Sequence, residues 1–391
     1  MTVIGIDATA LSDRAPGGIG TSQYETMREM AGMDSPHRFI LYATKPLVIP
    51  FTDRPLDIEW PVRIGCGPSA RSNILWMQTG VNRMLREDGV EVFWSPRHLL
   101  PLRARGIATV ATIQDFWYRL YPEQQPWANR IATRVLMDRI VRSADVLVAM
   151  SAATAADLDR FCGAAHPPVR IVPPGVDADR FRQLPTSEIG SVLERLRLTK
   201  PYLLAMDVYN PRKNASVILE ACGELVSEGR DLDVVCLGQV RGTAREVDIL
   251  GLAACHGLGG RVHLVGDVPA DVLVALYGGA QVFVYPSVYE GFGMPVLEAM
   301  ACGCPVVTSD RSSLPEAAGD AAILLAPDDA KRIASAIRSV LDDSAERERL
   351  VSRGLARAKT FTWRRTAHGM IAAIEKALSH VDGIAQRAGT P

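Results

Sequence analysis

Lysine is scarce in this chain. Six occur, at 45, 200, 213, 331, 359 and 376, among 43 basic residues, so arginine is the default cation and each lysine stands out. Net charge is −1, which excludes a dedicated nucleic-acid binder, since those are strongly basic. No run approaches the roughly 18 uninterrupted apolar residues that a membrane-spanning helix needs. Met1–Asp7 has neither a basic segment nor a long apolar stretch, so a signal peptide is not expected. The seven cysteines are odd in number and form no C-x-x-C pair. Five have apolar or small neighbours and read as core residues, which fits a reducing compartment better than a disulfide framework. These absences point to a cytoplasmic protein, or one held peripherally on the inner face of the cell membrane. There is no Walker A sequence, no G-x-S-x-G and no clustering of the seven histidines. D-x-D spacing is found in a helical pattern and in a linker. Asp157-Leu158-Asp159 lies in a helical pattern, where i and i+2 face apart, and Asp177-Ala178-Asp179 lies in a linker. No metal site and no cofactor is therefore expected.

What is present is an alternation of short apolar runs with amphipathic segments. Strands are expected at Val3–Asp7, Phe39–Ala43, Val90–Ser95, Ala108–Ile113, Val146–Ala149 and Val169–Val172, with helices near 20–32, 73–88, 126–142 and 151–161. Pro173-Pro174-Gly175 and Pro185 then bracket a stretch that can continue neither a helix nor a central strand. The alternation restarts with strands at Tyr202–Met206, Asp233–Leu237, Arg261–Leu264, Gln281–Val284, Pro305–Thr308 and Ala322–Leu325. Helices are expected between them at 214–228, 243–256, 270–279, 294–301 and 328–342. This βαβ repetition predicts an α/β chain of two doubly wound, Rossmann-like domains, at 1–180 and 181–361. Such units would face a cleft lined by strand carboxyl ends, where ligands bind in these sheets. A last helix from about 362 is expected to pack back on the first domain, with a frayed tail from Ser379 to Pro391.

Four segments carry chemistry. In Tyr285-Pro-Ser-Val-Tyr-Glu290-Gly-Phe-Gly293-Met-Pro295-Val-Leu-Glu298 a strand leads into a Gly-x-Gly loop and then a helix with Pro295 in its first turn. Free amides and the helix dipole can hold a phosphate there, and Gly291 and Gly293 allow close approach. Glu290 and Glu298 cannot favour phosphate. They can accept hydrogen bonds from sugar hydroxyls, Glu290 from a transferred sugar and Glu298 from a ribose. In Asn210-Pro211-Arg212-Lys213-Asn214 two adjacent cations follow a strand. A solvated basic turn is their ordinary fate, but a lysine beside an arginine in so lysine-poor a chain suggests a wanted point charge. Fixed cations can stabilise a leaving diphosphate as a metal would. Pro16-Gly17-Gly18-Ile19-Gly20 reads as a glycine loop between the first strand and first helix. Gln114-Asp115 ends another strand, and Gln114 offers a donor and an acceptor but no proton to transfer.

The spacing Glu290-x7-Glu298 within P-S-x-x-E-G-F-G-x-P-x-x-E-A-M-A-x-G-x-P-V resembles the glycogen-synthase-like retaining glycosyltransferases of family 4, which adopt the two-domain GT-B fold. The likeness runs along nearly the whole chain, with smaller echoes such as Ser313-Leu-Pro-Glu316. It implies metal-independent transfer of a hexose, and mannose from GDP-mannose is the expectation. Glu290, Arg212 and Lys213 would be catalytic. The donor would lie against Gly18, Gln114, Arg212, Lys213, Val268, Glu290, Gly291, Phe292, Gly293, Met294, Pro295, Leu297 and Glu298, and the acceptor against Gly17, Gly18, Ile19 and Asp115. Two positions depart from the family pattern: Gln114 stands where a His is common, and Asp207 where a Gly usually precedes the lysine by six residues.

The implied partners are a GDP- or UDP-sugar and a glycan or polyprenyl-diphosphate-linked acceptor, as in polysaccharide or lipopolysaccharide biosynthesis. Residues 63–142 carry twelve arginines against six acids, interleaved with Trp76, Trp117, Tyr118, Tyr121 and Trp127. That is an ordinary solvated face, or attraction to an anionic membrane or a lipid-diphosphate acceptor. Two other functions remain open on the sequence: a nucleotide-sugar epimerase on the same scaffold, and a non-catalytic nucleotide-sugar-binding partner. A phosphorylase would need a pyridoxal phosphate lysine, for which the few lysines offer no candidate.

Overall fold

The structure is a computed structural model that describes residues 1–12, 17–48, 59–66, 70, 72–102, 104, 106–122, 127–163, 165–238 and 248–388. Contacts divide the chain into two units, Met1–Gly175 with Trp363–Pro391, and Val176–Thr362.

In the first unit the strands are β1 (Val3–Asp7), β2 (Arg38–Ala43), β3 (Val62–Ile64), β4 (Val92–Ser95), β5 (Ala108–Ile113), β6 (Val146–Ala149) and β7 (Val169–Ile171). They form one sheet in the order β3-β2-β1-β4-β5-β6-β7, and every pairing is parallel. The helices are α1 (Gly17–Ala31), α2 (Asn73–Leu75), α3 (Val81–Glu87), α4 (Trp117–Leu120), α5 (Trp127–Ser143) and α6 (Ala152–Cys162). Strands β4, β5 and β6 are buried along their whole length, which is why they read as apolar runs without alternation.

The second unit holds β8 (Tyr202–Met206), β9 (Asp233–Leu237), β10 (Val262–Val265), β11 (Val282–Tyr285), β12 (Val306–Ser309) and β13 (Ile323–Leu325). Their order is β10-β9-β8-β11-β12-β13, again all parallel. Around them run α7 (Thr186–Arg195), α8 (Ala215–Ser227), α9 (Ile249–Cys255), α10 (Ala270–Gly279), α11 (Met294–Ala301), α12 (Leu314–Ala318), α13 (Ala330–Asp342) and α14 (Ser344–Ala358). Strand order reverses between β8 and β11, so the crevice where such sheets bind ligands lies beyond the carboxyl ends of those two neighbours.

The chain then enters α15 (Trp363–Ala388) and returns to the first unit. Ala367, Met370, Ala373, Ile374 and Ala377 repeat at helical spacing and join the core of Ile4, Ile6, Tyr24, Met27 and Val148. Gly369 permits the approach, because a Cβ there would come 2.8 Å from Val172.

Several expectations need correction. Gly17–Gly20 are the first turn of α1 rather than a loop, since α1 begins at Gly17 with φ +60°, a left-handed value glycine adopts without strain. Pro16 lies outside the described residues, as do 243–247 of the helix expected at 243–256. The segment 73–88 is helical but broken by a π-helical stretch at Trp76–Gly80. Helices α4, α7, α12 and α14 and strand β3 have no counterpart in the expected pattern. Helix α7 follows Pro185, a residue tolerated just before a helix, and it packs on Gly278 and Gly279, whose missing side chains make room for Ile189 and Leu193. The tail expected to fray at Ser379 continues as α15 to Ala388, and 389–391 lie outside the described residues. Of the cysteines, four rather than five are buried: Cys222, Cys236, Cys302 and Cys304.

Candidate functional site

The two most informative motifs sit in the crevice of the second unit. Strand β8 ends at Met206 and the chain turns through Asp207, whose φ is +55°. This is the position where the resembling family has glycine, and the backbone conformation explains the preference. Aspartate is among the few other residues that enter the left-handed region at modest cost. A short 3₁₀ turn, Pro211–Lys213, follows, with the Asn210 side chain accepting from the Arg212 amide at 3.3 Å.

Strand β11 ends at Tyr285, and its loop is stitched to that turn. The Val288 amide donates to the Arg212 carbonyl at 2.8 Å, and the Ser287 hydroxyl lies 3.1 Å from the same oxygen. Sheet order thus brings together segments more than seventy residues apart in sequence.

The stitching places Lys213 against Glu290. Lys213 is 4% exposed and Glu290 6%, so a solvated basic turn is ruled out for the lysine. Lys213 Nζ lies 2.5 Å from Glu290 Oε1. The same oxygen is 2.6 Å from the Ser287 hydroxyl and accepts from Tyr285 at 3.0 Å. Lys213 also donates to the Tyr285 hydroxyl. Glu290 Oε2 faces Arg212 Nη2 at 3.9 Å. Burial alone would raise the Glu290 pKa. The charges of Lys213 and Arg212 and the hydrogen bonds from Lys213 and Ser287 outweigh it and hold the carboxyl below its ordinary value. Burial pulls the Lys213 ammonium below its ordinary range, and the Glu290 carboxylate pulls it back.

The Glu290 backbone is clamped as well. Its carbonyl accepts from Ser312 at 2.6 Å and Ser313 at 2.9 Å, both just ahead of α12. Ser312 has φ +55°, strain that an environment tolerates when it fixes a functional residue. Beyond Glu290, Gly293 caps α11 with φ +107°, and a Cβ there would lie 2.7 Å from Leu314, so only glycine fits. Met294 and Pro295 open α11, with the proline in its first turn. Gly291, Met294 and Pro295 are partly exposed. The side chains of Phe292 and Leu297 are buried, the former edge-on to Phe361 at 5.4 Å.

Glu298 stands one turn further along α11 and accepts from the Tyr277 hydroxyl at 3.2 Å. Burial raises its pKa to about 7, against the pull of that hydrogen bond and of the Arg180 charge. Asp177, the first acid of one D-x-D spacing, caps a turn: its Oδ1 accepts from the amides of Asp179 at 3.1 Å and Arg180 at 3.3 Å. In that of Asp157 and Asp159, Asp159 lies on α6 and pairs with His166 at 2.8 Å. Val268 lies just past β10, on the same carboxyl edge of the sheet, and is partly exposed.

In the first unit, Gly17, Gly18 and Ile19 follow β1, and Gln114 and Asp115 follow β5, all at the carboxyl edge. Gln114 Nε2 donates to the Pro96 carbonyl at 2.7 Å, and its side chain borders a small cavity with Gln23, Trp94, Thr112 and Thr366. Asp115 stands two residues before α4 and accepts from the Trp117 amide at 3.1 Å. Asp7, at the end of β1, is 1% exposed and its carboxyl is raised by burial despite the opposing charge of Arg97. In the basic stretch, Arg63 lies 3.1 Å from Asp88, Arg83 lies 2.6 Å from Glu87, and Arg119 pairs with Asp138. These arginines are committed to acids. Among the described residues no helix is long and apolar enough to cross a membrane.

Sequence reasoning missed Tyr277, Tyr285, Ser287 and Ser312 as parts of this site. Tyr285 and Ser287 stood inside the motif, but only the β8–β11 adjacency shows what their hydroxyls touch.

The chain matches the family profile for glycosyl transferases group 1 over residues 193–357, and that for Glycosyltransferase Family 4 over residues 16–180. It is 34% identical over 283 residues to the O-antigen chain mannosyltransferase B of Escherichia coli, covering 71% of this chain and 72% of that one. Its fold matches that of sucrose-phosphate synthase from Thermosynechococcus elongatus with a TM-score of 0.78 at 21% identity, covering 97% of this chain and all of the other. It also matches HepE of Anabaena, solved in complex with UDP-glucose, with a TM-score of 0.73 at 17% identity, covering 98% and 100% of the two chains.

Proposed function

The chain belongs to the group 1 glycosyltransferases of family 4, and from that premise we propose that it moves mannose from GDP-mannose to a saccharide or lipid-linked acceptor with retention and without a metal. That it is a glycosyltransferase follows from the family. The sugar is proposed from the likeness to the O-antigen mannosyltransferase, and the acceptor is assigned to the O-antigen or related polysaccharides on the same ground. A nucleoside diphosphate sugar as donor agrees with the UDP-glucose held by HepE.

The observation that carries the proposal is the convergence of Arg212, Lys213 and Glu290 in the β8–β11 crevice. As the bond from the anomeric carbon to the diphosphate oxygen breaks, negative charge grows on the diphosphate. The half-buried Arg212 and the buried Lys213 take that charge in a preorganised setting, the role a metal plays elsewhere. An ammonium has three N–H groups, and Tyr285 and Glu290 account for two of them, leaving a third for the phosphate. Glu290 Oε1 already meets three donors, so a sugar hydroxyl is accepted by Oε2. Glu298 accepts from the ribose. The acceptor hydroxyl attacks from the face the diphosphate leaves, and the departing phosphate oxygen takes its proton, so no separate base is required.

The test is a pair of variants assayed in EDTA with GDP-mannose. Glu290→Ala and Lys213→Ala should each lower transfer at least ~100-fold, roughly 2.7 kcal/mol of transition-state stabilisation, with the fold intact by circular dichroism. Near-normal transfer by either variant overturns the site assignment. Loss of wild-type activity in EDTA overturns metal independence alone.

A further inference from the structure

Tyr285 is the last residue of β11, fully buried, and no role in the transfer described above falls to it. Its hydroxyl accepts from Lys213 and donates to Glu290 Oε1 at 3.0 Å, so one phenol joins both members of the buried pair. The ammonium stands beyond the hydroxyl end of the ring, 4.6 Å from Nζ to centroid, so it meets the phenol oxygen and not the ring face. The ring itself is held by stacking on Phe283 at 5.3 Å. A flexible four-carbon side chain is thereby fixed at its charged end by a residue anchored in the sheet.

We propose that Tyr285 is a positioning residue that aims the Lys213 ammonium at the leaving diphosphate and keeps Glu290 bound to it. This rests on the reading of Lys213 as the diphosphate cation. The charged groups that face Lys213 are Glu290, Arg212 and Asp207, and the same three face Tyr285. With that set unchanged, removing only the phenol oxygen takes from Lys213 an acceptor that favours its charged form. The ammonium then loses its proton at lower pH.

Tyr285→Phe keeps the ring and its stacking and removes both hydrogen bonds. Two measurements are made with the full chain. The first is kcat and KM for the donor, expected to show kcat lower by about 10-fold and KM within about 3-fold, because positioning acts on charge that develops in the transition state. The second is the alkaline limb of kcat against pH, expected to move down by at least about 0.5 unit because the lysine has lost a hydrogen bond to its charged form. A kcat within about 2-fold of wild type overturns the proposal. So does a fall in kcat with the limb in place, which is what a merely structural lesion gives. Should Tyr285→Phe fail to fold, 3-fluorotyrosine at 285 keeps ring and hydroxyl while weakening the acceptor. It must move the limb in the same direction, and an unmoved limb again refutes the role. Lys213→Ala runs alongside: near-normal transfer there sinks the reading of Lys213, whereas a large loss there with an unmoved limb in Tyr285→Phe sinks only the inference about Tyr285.

Discussion

Replacing Lys213 by methionine removes a charge from a nearly dry site while keeping most of the volume. At 2.5 Å and an effective dielectric constant of about 20, the attraction between Lys213 and Glu290 is about 7 kcal/mol. Most of that is cancelled by the cost of taking both ions out of water. What remains visible on cutting one partner is the stranded charge, about 3 kcal/mol. Glu290 keeps Ser287 and Tyr285 as donors and Arg212 at 3.9 Å, so the loss falls at the low end of that class. Glu290→Gln strands the ammonium instead and costs about 2 kcal/mol, limited because a buried lysine can give up its proton. The double variant leaves no charge behind, so it should cost far less than the sum, with a coupling of about 2 to 3 kcal/mol. The assay is urea unfolding read two ways. All six tryptophans (60, 76, 94, 117, 127 and 363) belong to the first unit, so their fluorescence reports that unit alone, and circular dichroism reports both. The transition seen by dichroism without a fluorescence counterpart is that of the second unit. Because the Glu290 carboxyl is held below its ordinary value, the pair's contribution is present above the ordinary carboxylate range and is lost as pH falls through the depressed value. Single-variant effects that add to within about 0.5 kcal/mol would refute a coupled buried pair.

Two further outcomes come from α11. Ribose hydroxyls favour the ionised form of Glu298, whose pKa is raised to about 7 chiefly by burial, so nucleotide affinity should rise with pH, by up to about 10-fold between pH 6 and 8. Titration calorimetry with GDP would check this, and a profile just as steep in Glu298→Gln would assign the dependence to another group. In the free protein the sign is opposite: an acid with a raised pKa stabilises the fold below its unfolded value of 4.5, and this is lost as pH rises through about 7. Gly293→Ala puts a Cβ 2.7 Å from Leu314 at φ +107°, and should cost about 2 kcal/mol and lower the melting temperature by about 4 to 8 °C. An unchanged melting temperature would show that the loop before α11 yields more easily than its packing implies.

Much of this protein is determined by the order of its residues alone. Apolar runs of four to six residues bounded by turn residues and separated by helical periodicities point to parallel strands buried on both faces, which need no alternation. Pro295 at a helix start and the glycines before it mark the α11 loop with no knowledge of the fold, since their backbone demands are local. The Glu290 and Glu298 spacing and the Arg212-Lys213 pair were legible for the same reason. The 3₁₀ turn, the π-helical interruption at Trp76–Gly80 and helix α7 were not, because tertiary packing selects them over weak local preference. Nor could the sequence say that Lys213 is buried. That depends on β8 and β11 being neighbours, which sets the Arg212 carbonyl beside the Ser287 loop and encloses the ammonium between Tyr285 and Glu290. Residue types at their spacing specify which charges are available. Only strand order decides which charges share a dry site, and a charge acquires its energy from what surrounds it.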